Sequence, residues 1–139
     1  MSVYLDASIL VSFFAIDTLS SRAESVLKTQ SGVIVSNFAA VEFASALARR
    51  VRMRLLTEQE ARIAFSTFDA WADRTAILVN MDNTDISAAA AFLRRLDLTL
   101  RTQDALHVAM ARRLDAAVLT FDKQMREAAR VLGVNVSDV

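Results

Sequence analysis

The stretch of sequence that decides the fold is Val3-Tyr4-Leu5-Asp6-Ala7-Ser8-Ile9-Leu10. In it a short apolar run ends on a carboxylate, and a small hydroxyl residue opens the next apolar segment. Such a run is typical of a strand buried in a parallel sheet. Ligands of open α/β sheets bind just beyond the carboxyl ends of the strands, so Asp6 is a candidate functional residue. The alternative is that Asp6 only caps the helix that follows.

The rest of the chain alternates short β-prone runs with longer helical segments, which is the pattern of a parallel sheet covered by helices. Five strands are predicted, at residues 3–5, 33–35, 76–79, 117–120 and 134–136. Seven helices are predicted between them, at about residues 8–15, 19–29, 37–53, 58–73, 84–95, 102–114 and 122–132. Both glycines, Gly32 and Gly133, fall between a helix and a strand, where a left-handed cap residue is expected.

The length and composition of the chain exclude several classes of protein. The 139 residues have the common size of one domain, and we expect a single domain over residues 1–139. Sixteen basic and sixteen acidic residues cancel, which argues against binding nucleic acid by bulk positive charge. The chain has no cysteine, which excludes thiol nucleophiles and zinc-thiolate sites and fits a reducing cytoplasm. The longest apolar stretch, residues 9–16, is too short to cross a membrane, and the amino terminus does not look like a signal peptide.

The predicted helix at 37–53 carries an acid and a basic run. Asn37 is its expected cap, and Glu42 lies on a different face from the apolar stripe that should enter the core. The face with Glu42 runs toward a cluster of cations, of which Arg49 and Arg50 are candidates for contacting phosphate. The alternative is a solvated helix end whose cations suit the negative end of the helix dipole.

The segment 101–111 predicts a central helix, because after Thr102 as its cap it is apolar on nearly every side. Asp104 lies in its first turn, where a buried carboxylate needs the helix dipole, hydrogen bonds or a cation to offset desolvation. His107, one turn on, could join Asp104 as a ligand. A single His on an apolar helix is more often a structural residue, and that interpretation is favoured.

Aromatic and capping residues have simpler explanations. Phe65, Phe68 and Trp71 recur at three-residue spacing and are expected in the core. A partner-binding groove that also includes Phe13 and Phe14 is the alternative. The acidic and hydroxyl residues ahead of the Ala-rich helix are expected to cap it without chemistry: Asp82, Thr84 and Asp85.

Acids recur at strand ends and helix starts. The strand at 117–120 repeats the opening pattern, since it ends on Thr120 and is followed by Asp122. If this strand lies beside the first one, about 4.8 Å away, their terminal carboxylates can share one site. Four acidic side chains come from positions that a parallel α/β domain gathers at one edge: Asp6, Glu42, Asp104 and Asp122.

Four carboxylates at one edge would repel, at about 4 kcal/mol for two charges 4 Å apart at an effective dielectric near 20, so the cluster must protonate or hold a cation. An all-oxygen cluster suits Mg²⁺ or Mn²⁺. Such ions favour phosphodiester hydrolysis as the leading reaction. A Gly-x-Ser-x-Gly nucleophile motif, a His–His acid/base pair and a Gly-rich phosphate loop are all missing from the sequence, and nothing suggests the sugar cleft of a glycosidase.

These motifs together resemble the PIN-domain ribonucleases, in particular the VapC-type toxins of bacterial and archaeal toxin–antitoxin modules. The resemblance covers essentially the whole chain and is carried in order by Val3-Tyr4-Leu5-Asp6-Ala7-Ser8, Ser36 and Glu42, Thr102-x-Asp104-Ala105-Leu106-His107-x-Ala109, and Leu119-Thr120-x-Asp122. It implies a PIN-like α/β fold, in which about seven helices sandwich a five-stranded parallel sheet. It also implies RNA cleavage that depends on Mg²⁺ or Mn²⁺.

Carried over to this sequence, the resemblance implies that the four acids bind the metal and perform catalysis, while Ser8 and Thr120 orient them. It further implies a homodimer and inhibition by a VapB-like antitoxin that packs along the early helices. We place that contact at Phe13 and Phe14. Relatives often carry a proline before the acid of the third helix, whereas this chain has Asn37-Phe38-Ala39-Ala40-Val41 there, which leaves the local turn open.

Two alternatives remain open at this point. One is a PIN-like nuclease of RNA processing that is not a toxin, which the lack of a neighbouring antitoxin gene would favour. The other is an inactive or receiver-like module that binds Mg²⁺ or a protein, with Lys123 in the role of the receiver lysine. Its spacing fits poorly, because the middle strand at 76–79 leads to Asn80 and not to an Asp.

Overall fold

The structure is a computed structural model that describes residues 1–139 as four strands and seven helices. The strands are Val3–Leu5 (β1), Val33–Ser36 (β2), Ala76–Val79 (β3) and Ala117–Leu119 (β4). The helices are Ala7–Phe14 (α1), Ser20–Lys28 (α2), Asn37–Arg52 (α3), Glu58–Thr75 (α4), Asn83–Arg94 (α5), Thr102–Arg113 (α6) and Lys123–Val131 (α7). All seven predicted helices are confirmed, and their ends differ from the predicted ones by at most two residues.

The sheet is parallel, with the strand order β3-β2-β1-β4. Val3 of β1 pairs with Val33 of β2 on one side and with Ala117 of β4 on the other. The Asp6 backbone N–H donates to the Leu119 carbonyl at 3.3 Å, so the ends of β1 and β4 lie side by side. This adjacency brings the acids that follow the two strands to the same edge of the sheet.

The prediction of a fifth strand at residues 134–136 is wrong. Only Val136 forms a bridge with the sheet, opposite Val118. The reason lies at the end of α7, where Gly133 adopts a φ of 76° and the Val134 N–H donates to the Ala129 carbonyl at 2.8 Å. Because Val134 closes the helix, its N–H is not available for a sheet ladder.

Apolar side chains fill the space on both faces of the sheet. Val3 and Leu5 of β1 point into a cluster with α1, α3 and α4, while Tyr4 between them points into a second cluster with α5, α6 and α7. Helix α6 is buried along most of its length, as its sequence predicts. Phe68 is buried in the first cluster, and Phe65 and Trp71 pack against it, so the predicted aromatic core stripe is confirmed.

Three of the local predictions are wrong. Ser36, not Asn37, caps α3, because its hydroxyl accepts from the Ala39 N–H, whereas Asn37 Oδ1 accepts from the Met81 N–H at 2.8 Å. Arg101, not Thr102, occupies the N-cap position of α6. Gly32 has no positive φ; it is needed for space, since a Cβ there would lie 3.0 Å from Ser2 Oγ.

The helix α5 begins as predicted. The Asp82 carboxylate accepts from the Thr84 N–H, and Asp85 accepts in turn from the Asp82 N–H, which together make a capping box. Asp85 has a second role that its sequence position does not indicate. It is buried, and both of its carboxylate oxygens accept from Arg113 at 2.8 and 2.9 Å, which ties α5 to α6.

Candidate active site

Asp6 is held rigidly at the junction of β1 and α1. It is buried, and its Oδ1 atom accepts from the Ser8 hydroxyl at 2.6 Å and from the backbone N–H groups of Ser8 and Ile9 at 3.1 and 3.4 Å. Asp6 therefore is the N-cap of α1, so the capping interpretation of its sequence position is correct as far as it goes. Its second oxygen accepts from the residue that follows β4.

Thr120 makes that second contact. Its hydroxyl donates to Asp6 Oδ2 at 2.6 Å and accepts from the Asp122 N–H at 3.0 Å. The Phe121 N–H donates to the Ser8 hydroxyl at 3.2 Å. The two residues that were predicted to orient the acids, Ser8 and Thr120, thus both contact Asp6 and join the end of β4 to the start of α1.

Burial sets the ionisation of Asp6. Desolvation raises the pKa of its carboxyl group above the ordinary value for Asp, and the hydrogen bonds from Ser8 and Thr120 offset only part of that rise. A cation in the cleft would favour the ionised form, because an opposite charge offsets the loss of hydration. The charge of Asp6 therefore depends on whether a cation is bound beside it.

Asp104 and Asp122 share one cation of the protein. The Asp104 carboxylate is buried and accepts from the Arg101 backbone N–H and from Arg101 Nε, each at 3.3 Å. The same guanidinium places its Nη2 atom 3.7 Å from Asp122 Oδ2. Asp122 is also the N-cap of α7, where it accepts from the Gln124 and Met125 N–H groups. The role of Arg101 was not predicted from the sequence. An arginine at the start of a helix gives no sign that its side chain will lie between two acids.

Glu42 contacts His107. The side chain of Glu42, one-quarter exposed, is hydrogen-bonded through Oε1 to His107 Nε2. The imidazole is buried, and its Nδ1 atom lies 2.7 Å from the Tyr4 hydroxyl. Both ring nitrogens of His107 thus have protein partners, and neither faces Asp104 as a second ligand. The prediction that His107 is only a structural residue did not include its contact with Glu42, an acid of the site. The sequence does place His107 on the same face of α6 as Asp104, because the two are three residues apart, but it gives no sign of the contact with Glu42.

The four acids line one cleft of about 550 Å³. Ser8, Arg49, Arg50 and Arg101 line it too, whereas Thr120 lies beneath Asp6 and outside the lining. Four carboxylates are a donor set whose chemistry fits a hard divalent cation. As the side chains stand, no group of three or more His, Asp or Glu residues is placed to hold a metal ion. Instead, the Arg101 guanidinium lies beside Asp104 and Asp122, and His107 is hydrogen-bonded to Glu42.

The two candidate phosphate-binding arginines differ in their surroundings. Arg50 Nη2 lies 3.4 Å from Asp17 Oδ2, and the Ser12 hydroxyl donates to the same oxygen at 3.1 Å. Arg49 has no ion pair and lines the cleft that Glu42 also lines. The structure thus puts both arginines on the wall of the cleft and leaves Arg49 the more available of the two.

Phe13 and Phe14 lie away from the cleft. They line a separate apolar groove of about 340 Å³ together with Ile16, Leu55, Leu56 and Ile63. Phe14 packs edge-on against Phe43, Phe68 and Trp71 and belongs mainly to the core, while Ile16 and Ile63 are exposed. The groove is therefore apolar both in its floor and on its rim.

Comparison with known proteins gives the family. The sequence model of the PIN domain matches residues 3–131, which is most of the chain. The chain belongs to the PIN-domain family. The resemblance of its motifs to that family is confirmed, and the receiver-like interpretation is wrong; Lys123 is exposed and outside the cleft, 3.9 Å from Glu127. No helix of this PIN domain is both long and apolar enough to span a membrane.

This PIN domain is similar to proteins of VapC type. It is 31% identical to Ribonuclease VapC46 of Mycobacterium tuberculosis over 97% of this chain and 95% of that one. Its fold matches the crystal structure of Mycobacterium tuberculosis VapC20, described as a sarcin–ricin loop cleaving toxin, with a TM-score of 0.73 and 21% identity over 91% and 95% of the chains. It also matches a chain of a toxin–antitoxin complex from Klebsiella pneumoniae, with a TM-score of 0.59 and 18% identity over 90% of each chain.

Proposed function

We propose that this chain is a metal-dependent endoribonuclease, the toxin of a VapBC-type toxin–antitoxin module, which hydrolyses RNA phosphodiester bonds in the cytoplasm. The observation that carries the proposal is the gathering of four carboxylates, from four different elements, along one cleft of a PIN domain. The relationship to Ribonuclease VapC46 over nearly the whole chain supports the same reaction. The PIN-like nuclease that is not a toxin differs only in its partner, and the test of the partner below separates the two.

The residues that would hold Mg²⁺ or Mn²⁺ are the four acids of the cleft: Asp6, Glu42, Asp104 and Asp122. When bound, such an ion polarises a phosphate and makes a water nucleophilic near neutral pH. Asp6 contributes a carboxylate fixed by Ser8 and Thr120, so its oxygens need little reorganisation. Asp104 and Asp122 contribute carboxylates that already share a cation, Arg101, which would have to yield part of its contact.

Arginines on the cleft wall would position the RNA. Arg49 and Arg50 extend from the same helix as Glu42, about two turns further on. A guanidinium donates two parallel hydrogen bonds to a phosphate, which holds the backbone of a strand in a defined orientation. We assign the main phosphate contact to Arg49, since Arg50 is paired with Asp17. Because the net charge of the chain is zero, these local cations must supply most of the attraction.

Two partners in addition to RNA belong to the proposal. A VapB-like antitoxin would dock in the apolar groove with Phe13 and Phe14, since exposed Ile16 and Ile63 on its rim would gain from being covered. A second copy of the chain would pair along β3, an edge strand whose Ile77 and Leu78 are half exposed. The similar Klebsiella pneumoniae chain comes from a toxin–antitoxin complex, which supports the first of these.

The reaction is tested by incubating total cellular RNA with purified protein in Mn²⁺, in Mg²⁺ and in EDTA. We expect cuts that require the metal, are lost in Asp6→Asn, and persist in Asp97→Asn, which changes an exposed acid outside the cleft. End mapping then identifies the RNA. Cleavage that continues in EDTA, or that survives Asp6→Asn, would contradict the proposal.

The toxin role is tested separately. Expression of the chain should arrest growth, and co-expression of the product of a neighbouring small gene should relieve the arrest. Ile63→Asp should prevent that relief without changing RNA cleavage, because Ile63 lies on the groove and not in the cleft. RNA cleavage without growth arrest, in a locus that has no such gene, would favour the RNA-processing alternative.

A further inference from the structure

A chain of buried polar groups runs from the core to the cleft. The Tyr4 hydroxyl lies 2.7 Å from Ser36 Oγ and 2.7 Å from His107 Nδ1. On the other side of the imidazole, Nε2 is hydrogen-bonded to Glu42 Oε1. Tyr4 is completely buried and is in the middle of β1, so it cannot touch a ligand in the cleft. Packing in the core would need only an apolar side chain at position 4, and Tyr4 does not line the cleft, so the contact between its hydroxyl and His107 calls for another explanation.

One assignment of donors and acceptors satisfies every group of this hydrogen-bond chain. Ser36 Oγ accepts from the Ala39 N–H at 2.9 Å, which leaves its proton for the Tyr4 oxygen. In this assignment Tyr4 donates to His107 Nδ1 at 2.7 Å, and the proton on Nε2 is donated to Glu42. Every group has a partner in this arrangement, which agrees with a structure in which no buried side-chain polar atom is unsatisfied.

The opposite direction of proton donation satisfies the hydrogen-bonding groups less well. If His107 donated from Nδ1 to Tyr4, the Tyr4 proton would go either to Met110 Sδ at 3.8 Å, a weak acceptor, or to Ser36 Oγ, whose own proton would then lose its acceptor. Tyr4 is also poorly suited to ionise, because burial raises the pKa of its hydroxyl. The geometry therefore favours a tyrosine that donates and an imidazole whose proton is on Nε2.

The imidazole is held by packing as well as by hydrogen bonds. Its ring lies between Tyr4 and Phe38, with centroid distances of 5.5 and 5.0 Å. Glu42, by contrast, is a long and partly exposed side chain that would sample several rotamers on its own. A rigid donor at Oε1 restricts it to one arrangement, and Oε2, which has no protein partner, remains for a ligand in the cleft.

We propose that Tyr4 and His107 are positioning residues, which fix Glu42 through the hydrogen-bond chain Ser36–Tyr4–His107–Glu42 so that Glu42 Oε2 is ready to bind a divalent cation. The proposal rests on the proposed function, since it concerns the same site. Partners behind a metal-binding side chain commonly change metal affinity tenfold to a hundredfold when removed. The alternative is that Tyr4 and His107 only fill the core.

The experiment uses the fact that the chain has one histidine and one tyrosine. With ¹⁵N-labelled histidine, two-dimensional NMR of the protein without metal or RNA reports the proton on each ring nitrogen unambiguously. In the wild type we expect the proton on Nε2 and none on Nδ1. In Tyr4→Phe we expect a mixture of tautomers and faster exchange of the Nε2 proton with water. Met110→Leu keeps the volume beside Tyr4 and should leave the wild-type spectrum unchanged.

The second measurement is Mn²⁺ binding, followed by the electron paramagnetic resonance signal of the free ion. Tyr4→Phe should weaken binding about tenfold. His107→Leu should weaken it more than His107→Gln, because only the glutamine amide can still donate to Glu42. Rescue by a side chain that keeps the donor separates positioning from mere filling of the core.

The outcomes are distinct. A proton on Nδ1 in the wild type would overturn the proposal even if Tyr4→Phe fails to fold. So would a folded Tyr4→Phe with the wild-type tautomer and wild-type Mn²⁺ affinity, or equal Mn²⁺ binding by His107→Gln and His107→Leu. If the spectra and Mn²⁺ affinities come out as expected but RNA is not cut, the proposed function fails and the positioning of Glu42 stands.

Discussion

The Thr120 hydroxyl donates to Asp6 Oδ2 at 2.6 Å and so joins the carboxyl ends of two neighbouring strands at the candidate site. The same oxygen of Thr120 accepts the Asp122 N–H at 3.0 Å. One buried hydroxyl thus sets the position of two of the four acids. Its removal should disturb the site far more than it disturbs the fold.

Thr120→Val keeps the shape of the side chain and removes the hydroxyl. We expect RNA cleavage to fall about tenfold to a hundredfold, because Asp6 loses a partner that orients it. Stability should fall by about 1–3 kcal/mol, since the Asp122 N–H loses its acceptor. Cleavage rates and urea unfolding check the two effects. The control is Thr67→Val, which removes a hydroxyl that donates to the Ile63 carbonyl on an exposed helix face. Its effects on RNA cleavage and on the free energy of unfolding should both be much smaller.

In the metal-free protein, Asp6→Asn should be more stable than the wild type, and this difference in stability should grow as pH rises. Burial raises the pKa of Asp6 in the folded state, so folding favours the protonated acid. The contribution of Asp6 to stability is therefore complete below its unfolded pKa of about 4 and is lost as pH rises through the folded pKa. Asn is neutral throughout, is an equally good N-cap, and can donate to the Thr120 oxygen.

The measurement for Asp6→Asn is the melting temperature in EDTA between pH 4 and pH 8. The advantage of the variant over the wild type should grow with pH. Asp97→Asn, at an exposed position, should run parallel to the wild type. A difference between Asp6→Asn and the wild type that stays constant with pH would show that burial does not control the ionisation of Asp6.

The features that sequence predicted well are those that local patterns determine. Asp6 and Asp122 could be placed at one edge because each follows a short apolar run, and parallel strands end on the same side. The burial of α6 follows from its apolar surface. The match of the PIN-domain model to residues 3–131 confirms the family that these motifs resemble. The roles assigned to the acids, and to Ser8 and Thr120 beside them, stay predictions.

The features that sequence could not predict depend on distant contacts or on competition between neighbours. Ser36 and Asn37 are both good helix caps, and only the point at which β2 ends decides between them. The contact between Glu42 and His107 spans 65 positions, and nothing in the pattern of either helix shows how α3 and α6 are aligned. The fifth strand is lost because the Val134 N–H is used to close α7, a choice that apolar content does not reveal.

Arg113→Met should destabilise the fold without acting on the cleft. Asp85 is buried, and Arg113 supplies its only cation while also donating to the Asn80 carbonyl at 3.1 Å. Loss of the guanidinium leaves a buried carboxylate unpaired, which we expect to cost about 3 kcal/mol, since Arg113 itself is one-third exposed. Arg62→Met breaks an exposed pair with Glu58 and should cost about 0.5 kcal/mol. Chemical unfolding of both variants checks the contrast, and equal losses would contradict it.

Arg101→Gln should strengthen binding of Mn²⁺ in the absence of RNA. The guanidinium lies 3.3 Å from Asp104 Oδ2 and 3.7 Å from Asp122 Oδ2, so it competes with any other cation for the same two carboxylates. Because the side chain is 71% exposed, water and salt screen that competition, and the gain in affinity should be only severalfold. The cap of α6 survives, since the backbone N–H at position 101 still donates to Asp104.

The measurement for Arg101→Gln is a titration with Mn²⁺ at low and at high salt. The gain over the wild type should shrink as salt rises, because the competition is electrostatic. Arg95→Gln removes an exposed cation that pairs with Asp97 and does not line the cleft, so it should leave Mn²⁺ affinity unchanged. Weaker Mn²⁺ binding in Arg101→Gln would instead mean that the arginine holds Asp104 and Asp122 in the geometry that the ion requires.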